Sequence, residues 1–232
     1  MRVPVLVLAE VPCEAYVSDE DLQEVNLMAR VNRRVWVVVF ITLFVVFETA
    51  AYVATTPRPT EQFFQLYVLG QNHLAADYYP NDDPNIALGA SVPWYLGVTN
   101  FMGSVQLVAI RVKLGNQTTQ PPNDQNATAS PAPLVTEFQR FLQDNETWEF
   151  PFTWQIPNAT SAGGVTRILG IEINNQTYPI AGVEAMNGYN FRIIIELWTW
   201  NVDSDAFGFG WYAGTDHEVA WLQVWFNATA VP

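Results

Sequence analysis

The sequence predicts a mainly β protein: an antiparallel, immunoglobulin-like β-sandwich preceded by a single transmembrane α-helix. Two observations carry this expectation. Val35–Val53 is an apolar run of nineteen residues with one ionisable member, Glu48. From Thr60 onward, short segments rich in Val, Ile, Phe, Tyr and Trp alternate with turn clusters rich in Asn, Asp and Gly, the signature of an all-β domain. The expected organisation is an N-terminal cytoplasmic segment (1–34), a transmembrane helix (35–54) and an extracellular β-domain (60–232).

As a helix, the apolar run spans about 28 Å, close to the thickness of a bilayer's hydrocarbon core. Its β-branched residues would also suit a strand, but nineteen residues is too long for one. Arg30, Arg33 and Arg34 precede the run and only Arg58 follows it closely, which places the N-terminus in the cytoplasm. Trp36 and Tyr52 fall where interfacial aromatics are expected, and Pro57 and Pro59 stop the helix. A cleaved signal peptide has a shorter apolar core and a shorter leader, so the segment is expected to be retained. Glu48 is the oddity. Either it lies shallow enough to reach interfacial water, or it pairs with a polar group on a neighbouring transmembrane helix. In the N-terminal segment, Ser18 followed by Glu20, Asp21, Leu22 and Val25 reads as the start of a short amphipathic helix at the cytoplasmic surface.

Six strands are expected in the β-domain: Phe63–Leu69, Val105–Leu114, Trp148–Ile156, Val165–Ile173, Tyr189–Trp200 and Glu218–Phe226. Turn clusters separate them at Asn81-Asp82-Asp83-Pro84, Asp144-Asn145, Gly163-Gly164, Asn174-Asn175 and Asn187-Gly188. Phe191, Ile193, Ile195 and Leu197 alternate cleanly and share one face. Trp198 and Trp200 fall on the other face. That strand is therefore covered on both sides or shows aromatics to a partner. Leu134–Leu142 fits a helical stripe as well as a strand. Gln117–Pro133, rich in Pro, Asn, Thr and Ala, reads as an exposed loop.

The formal net charge is −13 and Lys113 is the sole lysine, which argues against nucleic acid as a partner. The one cysteine, Cys13, precedes the apolar run, so the β-domain must be held by its core without disulfides. Six Asn-X-Thr sequons begin at Asn116, Asn126, Asn145, Asn158, Asn175 and Asn227. All follow the apolar run, on the side that the arginines independently make external, and each lies near an expected turn or terminus.

Catalytic and metal signals are weak. Asn201, Asp203 and Asp205 have the spacing of a calcium loop, but Ala206 and Tyr212 stand where the helix–loop–helix pattern needs Gly and an acid. A Ca²⁺ site of another kind would use Asp203, Asp205 and Asp216; a solvated hairpin loop is the commoner outcome for such residues. Asn81, Asp82, Asp83 and Asn85 form a second oxygen-rich turn. His73 and His217 lie in separate loops without ligand spacing. There is no G-x-S-x-G element, and Glu146 and Glu149 are an ordinary carboxylate pair, so no enzyme is expected. No cofactor is called for beyond that weak Ca²⁺ option. The aromatic residues invite carbohydrate binding, although most sit in strands where they fill a core. Trp211 and Tyr212, in a Gly-rich run, are the better candidates for an exposed contact.

Three stretches carry a resemblance: Glu61-x-Phe63-x-x-x-Tyr67-Val68-Leu69-Gly70, Ala76-x-Tyr78-Tyr79-Pro80 with Gly97-Val98-x-Asn100, and Asn145-Glu146-Thr147-Trp148-Glu149-x-Pro151. Together they are similar to an uncharacterised archaeal family of membrane-anchored proteins with an extracellular β-domain. The resemblance covers 61–157 and implies fold, topology and archaeal origin, but no site. A single anchor helix, the polar stretch 117–133 and the aromatic C-terminal hairpin depart from that family. The expected function is a non-enzymatic cell-envelope or membrane-complex component that contacts membrane lipid and binds other envelope proteins, as an oligomer or hetero-complex. A pilin-like filament subunit and a carbohydrate-binding surface module are the alternatives. Arg33-Arg34-Val35 lacks the small residue expected at a pilin processing site.

Overall fold

The computed structural model describes residues 19–55 and 61–229, with helix side chains described from Arg33 onward. Segment 1–18 and the prolines at 57 and 59 lie outside the described residues. The chain divides into two compact units, Met1–Pro59 and Thr60–Pro232.

The first unit contains α1 (Asp19–Thr55), a single helix of 37 residues. It begins directly after Ser18, as the run of first-turn acids suggests. The expected short surface helix and transmembrane helix are thus one element. Within it, Arg33–Thr55 is long and apolar enough to cross a membrane. Thr42 and Thr49 return their hydroxyls to the carbonyls of Val38 and Val45, so neither leaves an unsatisfied donor on the apolar surface.

The second unit is an antiparallel β-sandwich. Its strands are β1 (Phe63–Leu69), β2 (Asn85–Ala87), β3 (Val92–Phe101), β4 (Gln106–Asn116), β5 (Leu134–Leu142), β6 (Thr147–Ala162), β7 (Val165–Ile173), β8 (Gln176–Met186), β9 (Phe191–Asn201), β10 (Ala206–Phe209), β11 (Trp211–Ala213), β12 (Asp216–Glu218) and β13 (Trp221–Thr229). The first sheet has the order β1-β3-β6-β7-β8; the second has β2-β13-β9-β4-β5, with β10 beside β9. β11 and β12 form a separate hairpin. The pairings β3–β6 and β4–β9–β13 reproduce the B–E and C–F–G pairings of an immunoglobulin-like sandwich. One strand differs. The neighbour of β6 is β7, which follows it in sequence, whereas an immunoglobulin domain places there a strand that precedes it.

Leu134–Leu142 is a strand. Leu142 reaches the core while Phe141 is exposed, a division that follows the two-residue period of β5. Between the sheets lie Trp94, Leu96, Phe152, Trp154 and Ile156 from one side and Val108, Ile110, Val112, Phe191, Ile193, Ile195 and Phe226 from the other. Trp94 meets Trp154 edge-on at 5.2 Å, and Trp154 meets Phe226 at 4.9 Å. The core is thus filled by large aromatics and is held without a disulfide. The Asn174-Asn175 and Asn187-Gly188 turns adopt positive φ at both residues, which Asn and Gly tolerate best.

Candidate functional site

The chemistry-bearing surface of the β-domain is the outer face of the second sheet. Because Phe191, Ile193, Ile195 and Leu197 point inward, Arg192, Ile194, Glu196, Trp198 and Trp200 line the opposite face of β9. Register places Arg111 beside Glu196, Lys113 beside Ile194 and Gly115 beside Arg192 on β4. On β13 it places Trp221 beside Glu196, Gln223 beside Ile194 and Trp225 beside Arg192.

Glu196 is fully buried on this face, although it lies outside the sandwich core. Lys113 Nζ donates to Glu196 Oε2 at 2.9 Å and to the Ser130 carbonyl at 2.6 Å. The Ser130 amide donates to Glu196 Oε1 at 2.7 Å, and Trp198 Nε1 donates to Oε2 at 3.0 Å. Both carboxylate oxygens and the ammonium are therefore satisfied, the condition under which a buried ion pair is tolerated. The Arg111 guanidinium lies 3.8 Å from the centre of the Trp198 ring and also binds Glu137. Burial opposes ionisation of Glu137, but hydrogen bonds from Arg111 and Gln139 outweigh it and hold the carboxyl below its usual range.

What buries this face is the stretch that the sequence marks as an exposed loop. Its backbone crosses the sheet with Pro122, Ser130 and Ala132 buried. It is closed on itself by the Asn123–Thr128 bridge and tied to β13 where Trp221 Nε1 donates to Asp124. The expectation of an exposed loop is corrected: Gln117–Pro133 contains a strap whose tip is solvated and whose C-terminal part is packed. Hence β9 is covered on both sides. Sequence alternation alone could mark Glu196 as facing away from the core, but not the partners that a distant strap brings to it.

Arg192, next along β9, is only 3 % exposed. Its Nη1 donates to Gln223 Oε1 at 2.6 Å, and the guanidinium lies 4.8 Å from the centre of the Trp225 ring. No ion pair among the described residues includes it, and its Nε has no partner. Burial lowers its pKa from the ordinary value.

The sequon asparagines occupy different settings. Asn126, Asn145, Asn158 and Asn175 are exposed. Asn145 and Asn175 sit in positive-φ turns, and Asn158 lies at the irregularity in the β6–β7 pairing. Asn116 and Asn227 are half-buried. Asn116 Nδ2 donates to the Glu184 carbonyl at 2.7 Å while its Oδ1 accepts from the Thr118 and Thr119 amides. Asn227 Oδ1 accepts from the Asn190 amide at 3.0 Å, and its Nδ2 donates to Asn85 Oδ1 at 2.9 Å.

The candidate metal residues are not brought together. Asp203 and Asp205 lie in the turn between β9 and β10, whereas Asp216 begins β12. Among the described residues no three His, Cys, Asp or Glu side chains converge as a metal site. Asn201 Oδ1 is used locally, accepting from the amides of Asp203 and Ser204. In the other oxygen-rich turn, Asp83 Oδ1 accepts from the Asn85 amide at 2.9 Å. His73 contacts Glu149 at 3.0 Å and stacks on Tyr95, while His217 bonds the Phe209 carbonyl and stacks on Tyr212. Glu149 also accepts from Tyr67, whose pKa is pushed up to about 12 by burial and by that carboxylate. Glu146 instead binds Arg140 and the Gln143 amide, so the two glutamates serve separate contacts.

Of the two aromatics expected to be exposed, Tyr212 is 58 % exposed but Trp211 is only 7 % exposed. Trp211 packs edge-on against Phe64 at 5.2 Å, so it belongs to the core. Glu48 lies on the exposed surface of α1, among apolar side chains that are also exposed.

No protein-family model matches this chain, and no curated protein matches it. Among solved structures, it is similar to part of a β-glucosidase from Listeria innocua (TM-score 0.36, 11 % identity), with 73 % of this chain and 17 % of that one covered. It is also similar to Spo0M, a sporulation control protein from Bacillus subtilis (TM-score 0.34, 10 % identity), with 73 % of this chain and 50 % of that one covered. The chain thus spans half or less of the length of these structures, and likenesses this slight assign neither lineage nor activity.

Proposed function

We propose that this chain is a non-enzymatic cell-envelope or membrane-complex component that anchors a glycosylated extracellular β-domain for protein–protein interaction. The observation that carries the proposal is α1: its side chains from Val35 to Val46 are apolar or hydroxylic and exposed, a length and composition that suit a bilayer span. In water, that much exposed apolar surface would be strongly unfavourable; in a bilayer it is solvated. All six sequons fall in the other unit, consistent with that unit lying outside. Glu48 is proposed to pair with a polar group on a neighbouring helix, which would supply the assembly contact. The archaeal origin suggested by sequence resemblance belongs to the same proposal. A pilin-like subunit is less well supported, because Arg33-Arg34-Val35 lacks the small residue expected at a processing site.

Protease treatment of intact cells tests the topology. External protease should remove the β-domain and leave a membrane-embedded N-terminal fragment. A β-domain that is protected until the membrane is opened would defeat the proposal. Replacing Glu48 by Leu should reduce the proteins that co-purify in mild detergent while leaving membrane insertion intact.

A further inference from the structure

Trp225 and Asn227 lie two residues apart on β13, between and beside the buried Phe226 and Ala228. In an extended strand, alternate residues share a face about 6.5–7 Å apart. With Phe226 and Ala228 each 1 % exposed on the inner face, Trp225 and Asn227 both project outward. Trp225 is 37 % exposed. Asn227 is also the only sequon asparagine with an aromatic residue two positions before it; the others follow Leu114, Asp124, Gln143, Ile156 and Ile173 at that spacing.

We propose that an N-linked glycan on Asn227 folds back along β13 and rests its first sugar on the exposed face of Trp225. The proposal rests on the glycoprotein reading above and adds to it a defined carbohydrate platform. Three features build the platform. First, the buried Arg192 guanidinium stacks on the indole, which fixes the ring in place and leaves its solvent side open. Second, Gln223 gives its amide oxygen to Arg192, so its N–H groups remain as donors for sugar hydroxyls beside the ring. Third, Asn190 and Asn85 hold both ends of the Asn227 amide and aim it before any sugar is present. Attachment forms the bond from Nδ2 to the sugar's anomeric carbon as a glycosyl phosphate donor loses its phosphate and Nδ2 loses one proton. The second N–H keeps the bond to Asn85. The C–H face of a pyranose is apolar, so stacking removes it and the indole from water together.

The test uses the full-length chain purified in detergent from a host that N-glycosylates. Glycopeptide mass spectrometry reports which sequons carry sugar, and thermal unfolding is measured for four proteins: the parent, Trp225→Ala, Thr229→Val and the double variant. Thr229→Val removes the sequon without touching the Asn227 hydrogen bonds. The loss of the Arg192–Trp225 contact is common to both backgrounds and cancels in the comparison. The expected result is an occupied Asn227 and a Trp225→Ala loss of melting temperature about 2–4 °C larger in the parent than in the Thr229→Val background. Equal losses in the two backgrounds, or a bare Asn227 beside occupied sequons elsewhere, overturn the platform while leaving the glycoprotein reading intact. Six bare sequons overturn both.

Discussion

Glu196 shows how one residue can join two layers of a structure. It accepts from the strap amide, from Trp198 and from Lys113, all in surroundings closed to water. Glu196→Ala strands the Lys113 ammonium and the Ser130 amide, and should cost about 3–5 kcal/mol in chemical denaturation. Replacing both charged residues, as in Lys113→Met with Glu196→Leu, should recover a large part of that loss, because neither charge is then left alone. Glu137 is a milder case with a pH signature. Its folded pKa is lowered, so its contribution is fully present above the ordinary carboxylate pKa and fades as pH falls through the lowered value. Glu137→Gln should therefore cost about 0.5–1 kcal/mol near neutrality, and the difference should shrink below about pH 4. Denaturant curves collected from pH 7 to pH 3 would check both the sign and the window.

At the scale of elements, much was legible from sequence. β1 and β7 have the boundaries that the β-rich runs predict, and β4, β6, β9 and β13 overlap the predicted runs. β3 and β8 were not legible, and both contain breakers. Pro93 stands near the start of β3, where its missing N–H costs little, and β8 is an edge strand that accommodates Pro179 and the positive-φ Gly182. β6 runs past Pro157 by means of pairing irregularities between Gln155 and Ala159, whereas the sequence pattern stops at Ile156. Gly97 looks like another breaker but serves packing: its register partner Tyr67 lays its ring over the glycine, and an added Cβ would fall 2.0 Å from that ring. Gly97→Ala should cost about 1–3 kcal/mol through overpacking, measured by urea unfolding. Tyr67→Leu in the same background should relieve part of it. The strap escaped sequence reading for a different reason. Its composition is that of a solvated loop, and only a few positions, such as Ser130 and Ala132, are buried.

For the whole molecule, the two units make different demands on their surroundings. The β-domain has its own core and no cysteine, so residues 60–232 expressed alone should fold. Their melting temperature should match that of the β-domain in the full chain and should not respond to reductant; scanning calorimetry with and without dithiothreitol would show this. α1 has no such independence, because its apolar surface needs an apolar medium. Its length has a mechanical consequence as well. At ~1.5 Å per residue, 37 residues make a rod of about 55 Å, roughly 25 Å longer than the hydrocarbon layer it is proposed to cross. With no proline within it, the rod has no built-in hinge, so a tilt or twist applied at one end is delivered at the other. In the proposed topology, a partner gripping this helix inside the cell would hold a lever whose far arm ends outside it.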